Sequence, residues 1–263
     1  MALSGFERVL GRVRGARPGP TLVAVGGVHG NEPSGVRAIG RVLDALAADP
    51  GRLTGTFVGL AGNRRALDRG VRYVDRDLNR AWTVDRLAAL TGEGPAGPVA
   101  RTTEDEEQAE LLQALRRIER EAAGPVYALD LHTTSGPGGL FTTVSDTLAN
   151  RDYALALPVP LIVGLEELVD GTLLEYLGRR RWTAAVFEGG QHEEPEAVER
   201  HEDALWVALA KAGVIEPDAP RVHEARARLA EAARGLPPAL EMRYRHPVSP
   251  GDGFRMLPGF RNF

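Results

Sequence analysis

The sequence predicts an α/β protein: a mixed, largely parallel central sheet with helices on both faces, followed by a short C-terminal β appendage. Two observations carry that prediction. Compact apolar runs rich in β-branched residues, TLVAVGG, TGTFVGLAG, VYALDLH, PLIVGL and WTAAVFE, alternate with stretches whose apolar residues recur at helical spacing. Strands separated in this way are joined by crossovers, so neighbours run parallel and both faces of the sheet are buried. The 263 residues, 43% hydrophobic and 26% charged, suffice for one large core but not for two equal domains.

Taken in order, Phe6 to Arg14 is mixed in character and fits an edge strand or a helical turn, and Gly15 to Pro20 is a turn. TLVAVGG then reads as a buried strand ending at Gly26 and Gly27. Pro33 suits a first helical turn, and Val36, Ile39, Val42, Leu43 and Leu46 form a helical stripe that stops near Pro50 and Gly51. TGTFVGLAG is the next strand. Asn63 to Trp82 is arginine-rich and irregular, and residues 91–98 are a Gly/Pro connection. Thr103 to Ala122 is an amphipathic helix, VYALDLH a buried strand, PLIVGL and WTAAVFE two more, and Pro195 to Ala212 a helix. The chain changes character at Glu216: the main α/β unit over 1–215 gives way to a helix near Val222 to Ala233 and a short β segment within 216–263. A hairpin is one reading of that tail; a longer β module cut short is the other.

Composition narrows the partners. A net charge of −4 offers no basic field for nucleic acid or an anionic membrane, and no apolar run approaches the roughly 18 residues of a spanning helix. MALSGFERVLGRVRG has no apolar stretch of signal-peptide length, so a cytoplasmic protein is expected. With no cysteine, any bound metal must be held by nitrogen and oxygen.

The polar residues that follow the apolar runs point to chemistry. His29 and Glu32 stand in GGVHGNEPSG, His132 closes VYALDL, and Glu188 closes WTAAVF. Two histidines and a carboxylate are the ligand set of a catalytic zinc, and a further carboxylate is the base such a site needs. Asp130, two residues before His132 on the same strand face, is placed to orient the ring; it would otherwise cap a neighbouring helix. In VRYVDRDLNR, Arg72 suits an oxyanion, while Asn79 and Arg80 suit a substrate carboxylate. Asp75 and Asp77 read as positioning those arginines. His192 reads as a surface histidine, His201, His223 and His246 lack evident partners, and Trp82 and Trp182 read as packing residues.

Together GGVHGNEPSG, NRRA, RYVDRDLNR, LDLHTTSG and FEGGQ resemble, in this order, the succinylglutamate desuccinylase and aspartoacylase family of the zinc carboxypeptidase superfamily. The resemblance implies a zinc carboxypeptidase-like fold and one zinc ion per chain, held by His29, Glu32 and His132. It implies Glu188 as general base and acid, Arg72 on the scissile carbonyl, Asn79 and Arg80 on a carboxylate, and Asn63 shaping the pocket. The implied reaction is hydrolysis of a small N-acyl amino acid. A carboxypeptidase and a non-catalytic zinc-binding regulator are the alternatives, and a homo-oligomer is compatible with all three. Aspartate-specific members carry an arginine shortly before the catalytic glutamate. Here Tyr176, Arg179, Arg180 and Arg181 occupy that stretch, and spacing does not select among them.

Overall fold

In the computed structural model, which describes residues 5–92 and 101–262, the ambiguous N-terminal stretch is an edge strand, β1 (Val9–Arg14). The chain continues through β2 (Arg17–Gly26), α1 (Ser34–Ala47), β3 (Thr54–Ala61), α2 (Arg64–Arg69), α3 (Val84–Thr91), α4 (Thr103–Glu121), β4 (Val126–Thr134) and β5 (Phe141–Thr143). It then forms α5 (Leu148–Ala154), β6 (Leu161–Val163), α6 (Leu173–Arg179), β7 (Thr183–Gln191), α7 (Ala197–Lys211), α8 (Pro220–Ala232) and β8 (Ala239–Glu241). From residue 93 onward the expected Gly/Pro connection lies outside the described residues.

All eight strands join one sheet in the order β1-β3-β2-β4-β7-β5-β6-β8. Pairing is parallel except between β1 and β3 and between β5 and β7. The two-residue alternation of strand side chains explains how helices come to cover both faces. Leu22 and Ala24 of β2 pack in one layer with Ile39 of α1 and Leu205 of α7, while Val23 and Val25 pack in the other with Leu111 and Leu115 of α4. Trp82 is completely buried and Trp182 nearly so, both in the α4 layer, as packing residues.

Five short elements escaped the sequence reading, among them α3, eight residues long. In the stretch taken as irregular, α2 is six residues long; its N-terminus is capped by Asn63, whose side chain accepts from Ala66 N, and it ends at Gly70 in the left-handed region. β5 is three residues long, and α5 and α6 seven each, too brief for periodicity to show. Among the described residues no C-terminal hairpin forms. β8 instead adds parallel to β6, and SPGDG makes a single 3-10 turn, Pro250–Asp252. α8 docks on α7, where Arg228 forks onto Asp203. Among the described residues, no helix is long and apolar enough to cross a membrane.

β2, β4 and β7 are consecutive parallel strands, and their carboxyl ends open on the same edge of the sheet. Close backbone approach at the end of β2 sets α1 against it: a Cβ on Gly26 would lie 2.7 Å from Val36 N and 2.8 Å from Gly35 C. Gly26→Ala must therefore push the start of α1 outward, and the loop carrying Glu32 with it. We expect a stability loss of about 1–3 kcal/mol, read as a lower urea midpoint with an unchanged slope.

Candidate metal centre and active site

Glu32 is the pivot of the site. The loop after β2 brings it to the end of β4, where it is 2% exposed. Its Oε1 lies 2.9 Å from His29 Nδ1 and its Oε2 3.0 Å from His132 Nδ1, and Oε2 also accepts from Thr133 N at 2.9 Å. The two imidazoles meet edge to face with centroids 5.0 Å apart. One ligand atom from each of His29, Glu32 and His132 falls within 4.8 Å of the others, close enough to hold a single ion.

The second nitrogen of each ring faces another carboxylate. His29 Nε2 lies 3.1 Å from Asp77 Oδ1, and His132 Nε2 lies 3.1 Å from Asp130 Oδ2, at ion-pair distance but off the line of a hydrogen bond. Carboxylates behind histidines fix the ring orientation and raise its basicity toward a cation. Asp130 thus stands where the sequence reading expected it, and Asp77 serves both His29 and Arg72. Burial alone would raise the Glu32 carboxyl, but the charge and hydrogen bond of His132, with those of His29, hold it well below the usual carboxylate range. Burial opposes charge on His132, yet Asp130 and Glu32 push it well above the ordinary histidine value. An excess of buried negative charge around two imidazoles is chemistry that a dication satisfies, so these residues fit a metal.

Glu188 is the cross-strand neighbour of His132 in the β4–β7 register, so its backbone runs one strand spacing, about 4.8 Å, from that of a candidate ligand, with both side chains on one face of the sheet. Its Oε2 is enclosed and has no hydrogen-bond partner among the described residues. The residue keeps some opening to solvent, but protein packs around the carboxyl and burial pushes it up to about 7, with the charge of His132 pulling the other way.

Arg72 reaches the same place. Its Nη2 donates to Asp77 Oδ2 at 3.0 Å, and its Nη1 is 3.9 Å from Glu32 Oε1. Asn79 Oδ1 accepts from Leu173 N at 2.8 Å, and Arg80 is exposed with Nη1 donating to Asn79 O at 2.6 Å. Asn63 is different: it is fully buried, with Nδ2 donating to Glu104 at 3.0 Å and Oδ1 capping α2, so it stands behind the loop and not on its surface. Glu104, itself fully buried, also accepts from Val74 N at 2.7 Å, Asp75 N at 3.0 Å and Arg76 N at 3.2 Å. One carboxylate therefore holds the middle of the Arg72-to-Asn79 loop. In the sequence it is one of four acids in TEDEE, and only its helix-start position hinted at a special role.

Three histidines differ from their sequence reading. His192 is half-buried, its Nδ1 2.8 Å from Thr133 Oγ1. His246 Nδ1 lies 2.8 Å from Tyr244 Oη. His201 of α7 is fully buried, and its Nε2 donates to the main-chain carbonyl of His132 at 2.9 Å. Gly189 makes room for that ring, since a Cβ there would lie 2.7 Å from His201 Nε2. Of the residues ahead of Glu188, Tyr176 stacks on Trp82 at 5.1 Å, Arg179 bonds Glu175 and Trp82 O, and Arg180 bonds Glu119.

A family model described as Succinylglutamate desuccinylase/Aspartoacylase catalytic domain matches residues 18–155, just over half of the chain. The chain belongs to this family. Its similarity to an N-acyl-aromatic-L-amino acid amidohydrolase (carboxylate-forming) from Xenopus laevis is 34% identity over 125 residues, 46% of this chain and 37% of that protein. A succinylglutamate desuccinylase from Pseudomonas aeruginosa is 36% identical over 69 residues, 26% of this chain and 21% of its own length. The chain thus spans little more than a third of the first of these curated relatives and about a fifth of the second. Two solved structures share the fold: a succinylglutamate desuccinylase/aspartoacylase from Rhodobacter sphaeroides (TM-score 0.57, 24% identity, covering 78% of this chain and 59% of the other) and a succinylglutamate desuccinylase from Chromobacterium violaceum (TM-score 0.59, 20%, covering 79% and 63%). In this desuccinylase/aspartoacylase domain the loop after β2 and the ends of β4 and β7 carry the residues that could hold and serve a metal.

His201 supplies a stability test. Burial pushes it down to about 4 from an ordinary 6.5, so the folded protein keeps it neutral. Between those values the unfolded chain binds a proton that the folded one refuses, and stability rises with pH through that window. Chemical denaturation at pH 5 and pH 7 should show about 2 kcal/mol of this gain in the wild type, and a smaller difference in His201→Gln.

Proposed function

We propose that the protein hydrolyses the amide bond of an N-acyl amino acid, with one zinc ion held by His29, Glu32 and His132. The observation that carries the reading is the pairing of Glu188 with His132 across β4 and β7, next to a three-residue ligand set already backed by Asp77 and Asp130. Zinc, when bound, polarises the scissile carbonyl and acidifies the attacking water.

The remaining work falls to the chain. Glu188 takes the proton from water as its oxygen adds to the acyl carbon, then gives it to the nitrogen as the carbon–nitrogen bond breaks. A carboxyl near 7 can perform both transfers at neutral pH. Arg72, clamped by Asp77 beside Glu32, offers its guanidinium to the oxygen that gains charge in the tetrahedral intermediate. Arg80, exposed beside Asn79, holds the carboxylate of the amino-acid half. Asn63 contributes from behind, through Glu104, by keeping that loop in shape. The products are a carboxylic acid and a free amino acid.

The test is amine release from N-acyl amino acids by zinc-loaded protein. Chelator dialysis should abolish turnover and lower the melting temperature, and added zinc should restore both. His29→Ala and His132→Ala should come out of purification with little metal by elemental analysis. No zinc stoichiometry in the wild type would defeat the ligand assignment, whatever the activity.

Glu188→Gln should cost about 10³-fold in kcat while zinc content stays at wild-type level. The ionised carboxylate is the base, so kcat/KM should climb as pH rises through about 7. That limb should be missing from the residual activity of Glu188→Gln.

A further inference from the structure

The ladder between β4 and β7 changes register at the proposed site. His132 pairs with Glu188, but Thr134 pairs with Gln191, so Gly189 and Gly190 stand together opposite the single residue Thr133. A β-bulge of this kind leaves an extra residue out of the pairing and bends its strand, and it is rare between parallel neighbours. Gly190 has a φ of +110°, a conformation that glycine alone takes readily. The bulge thus follows directly on the pairing of a candidate ligand on β4 with the proposed base on β7.

Two consecutive residues of α7 meet it. His201 Nε2 donates to His132 O at 2.9 Å, and Arg200 Nη1 donates to Gly189 O at 3.2 Å. Both glycines permit that approach: a Cβ on Gly189 would lie 2.7 Å from His201 Nε2, and one on Gly190 would meet Arg200 and its ion-pair partner Glu194. The His201 ring is held edge-on against Phe187, with centroids 5.6 Å apart. Leu131 and Phe187 pack in the α7 layer, so by strand alternation the side chains of His132 and Glu188 face away from it. α7 therefore acts on the site through the main chain, from the opposite side of the sheet. An apolar side chain would fill the place of His201 without the cost of burying a polar ring; what the ring adds is its N–H.

We propose that Arg200 and His201 are positioning residues for the hydrolysis, a clamp on the glycine bulge that sets the backbone of the ligand His132 against that of the base Glu188. The inference rests on the hydrolase reading above. His201 holds the ligand's strand and Arg200 the base's, so their contributions separate. Loss of the first lets His132 drift and weakens metal binding. Loss of the second leaves the ligands in place and lets Glu188 move off its line to the attacking water, where small misplacements are costly.

The test compares His201→Leu, His201→Gln and Arg200→Met with wild type. Zinc affinity is measured by competition with a chromophoric chelator, and kinetics on N-acetyl-phenylalanine, N-acetyl-aspartate and N-succinyl-glutamate. His201→Leu keeps the bulk without the N–H and should weaken zinc at least about tenfold. His201→Gln returns a donor to His132 O and should hold zinc within about threefold of wild type. On whichever substrate the wild type turns over, Arg200→Met should lower kcat at least about tenfold with KM and zinc affinity unchanged. A role in folding alone produces neither that split nor the rescue by glutamine. Wild-type kcat in Arg200→Met, wild-type zinc affinity in His201→Leu, or equal losses in the leucine and glutamine variants overturns the clamp. Should His201→Leu fail to fold, the Arg200→Met kinetics decide. If no substrate is turned over, the hydrolase reading fails and zinc affinity decides separately: weakening in His201→Leu with recovery in His201→Gln sustains the proposal, and equal or absent zinc binding overturns it.

Discussion

The carboxylate of Glu32 joins two parts of the chain a hundred residues apart, the loop leaving β2 and the end of β4, by touching His29, His132 and Thr133 N at once. A buried carboxylate is costly unless its lone pairs are met. Here they are met by groups whose positions depend on the sheet being correctly assembled. The parallel register of β2, β4 and β7 brings the loop and strand ends to one edge, and the tight fit of Gly26 against the start of α1 directs the loop back over it.

Around that pivot the protein collects more negative charge than it could hold alone. Asp77 and Asp130 stand behind the imidazoles and Glu188 beside them, with Arg72 as the near cation. Such an arrangement is stable in a low-dielectric setting when a multiply charged cation belongs to it. The same crowding and burial give Glu188 a carboxyl near 7, unlike Glu32, although both are glutamates at strand or loop ends. Environment, not residue type, divides the candidate ligand from the proposed base.

The sheet was legible because strands such as TLVAV and VYALDL are buried on both faces and therefore continuously apolar, and the long helices because their stripes extend over several turns. The candidate ligands were legible because each follows such a strand, where open α/β sheets gather their sites. Other residues left no such trace. His201 acts from the middle of α7 on a carbonyl sixty-nine positions earlier in sequence, a relation that only packing creates. Glu104 hides among neighbouring acids that a helix start would attract in any case. Asn63 belonged to a recognisable segment, but whether its amide faces a ligand or the interior depends on α2, which is too short to foresee.

The way Glu104 grips its loop has an evolutionary consequence. It binds main-chain N–H groups of Val74, Asp75 and Arg76, not their side chains. The side chains at these three positions are therefore under no demand from that carboxylate; Asp75 and Arg76 answer instead to Thr103 N and Asp105, while change at Val74 can recolour the rim of the site with Arg72 and Asp77 staying in place. Proline is the exception, because it has no N–H to give. A loop held by its main chain can change its surface without losing its course.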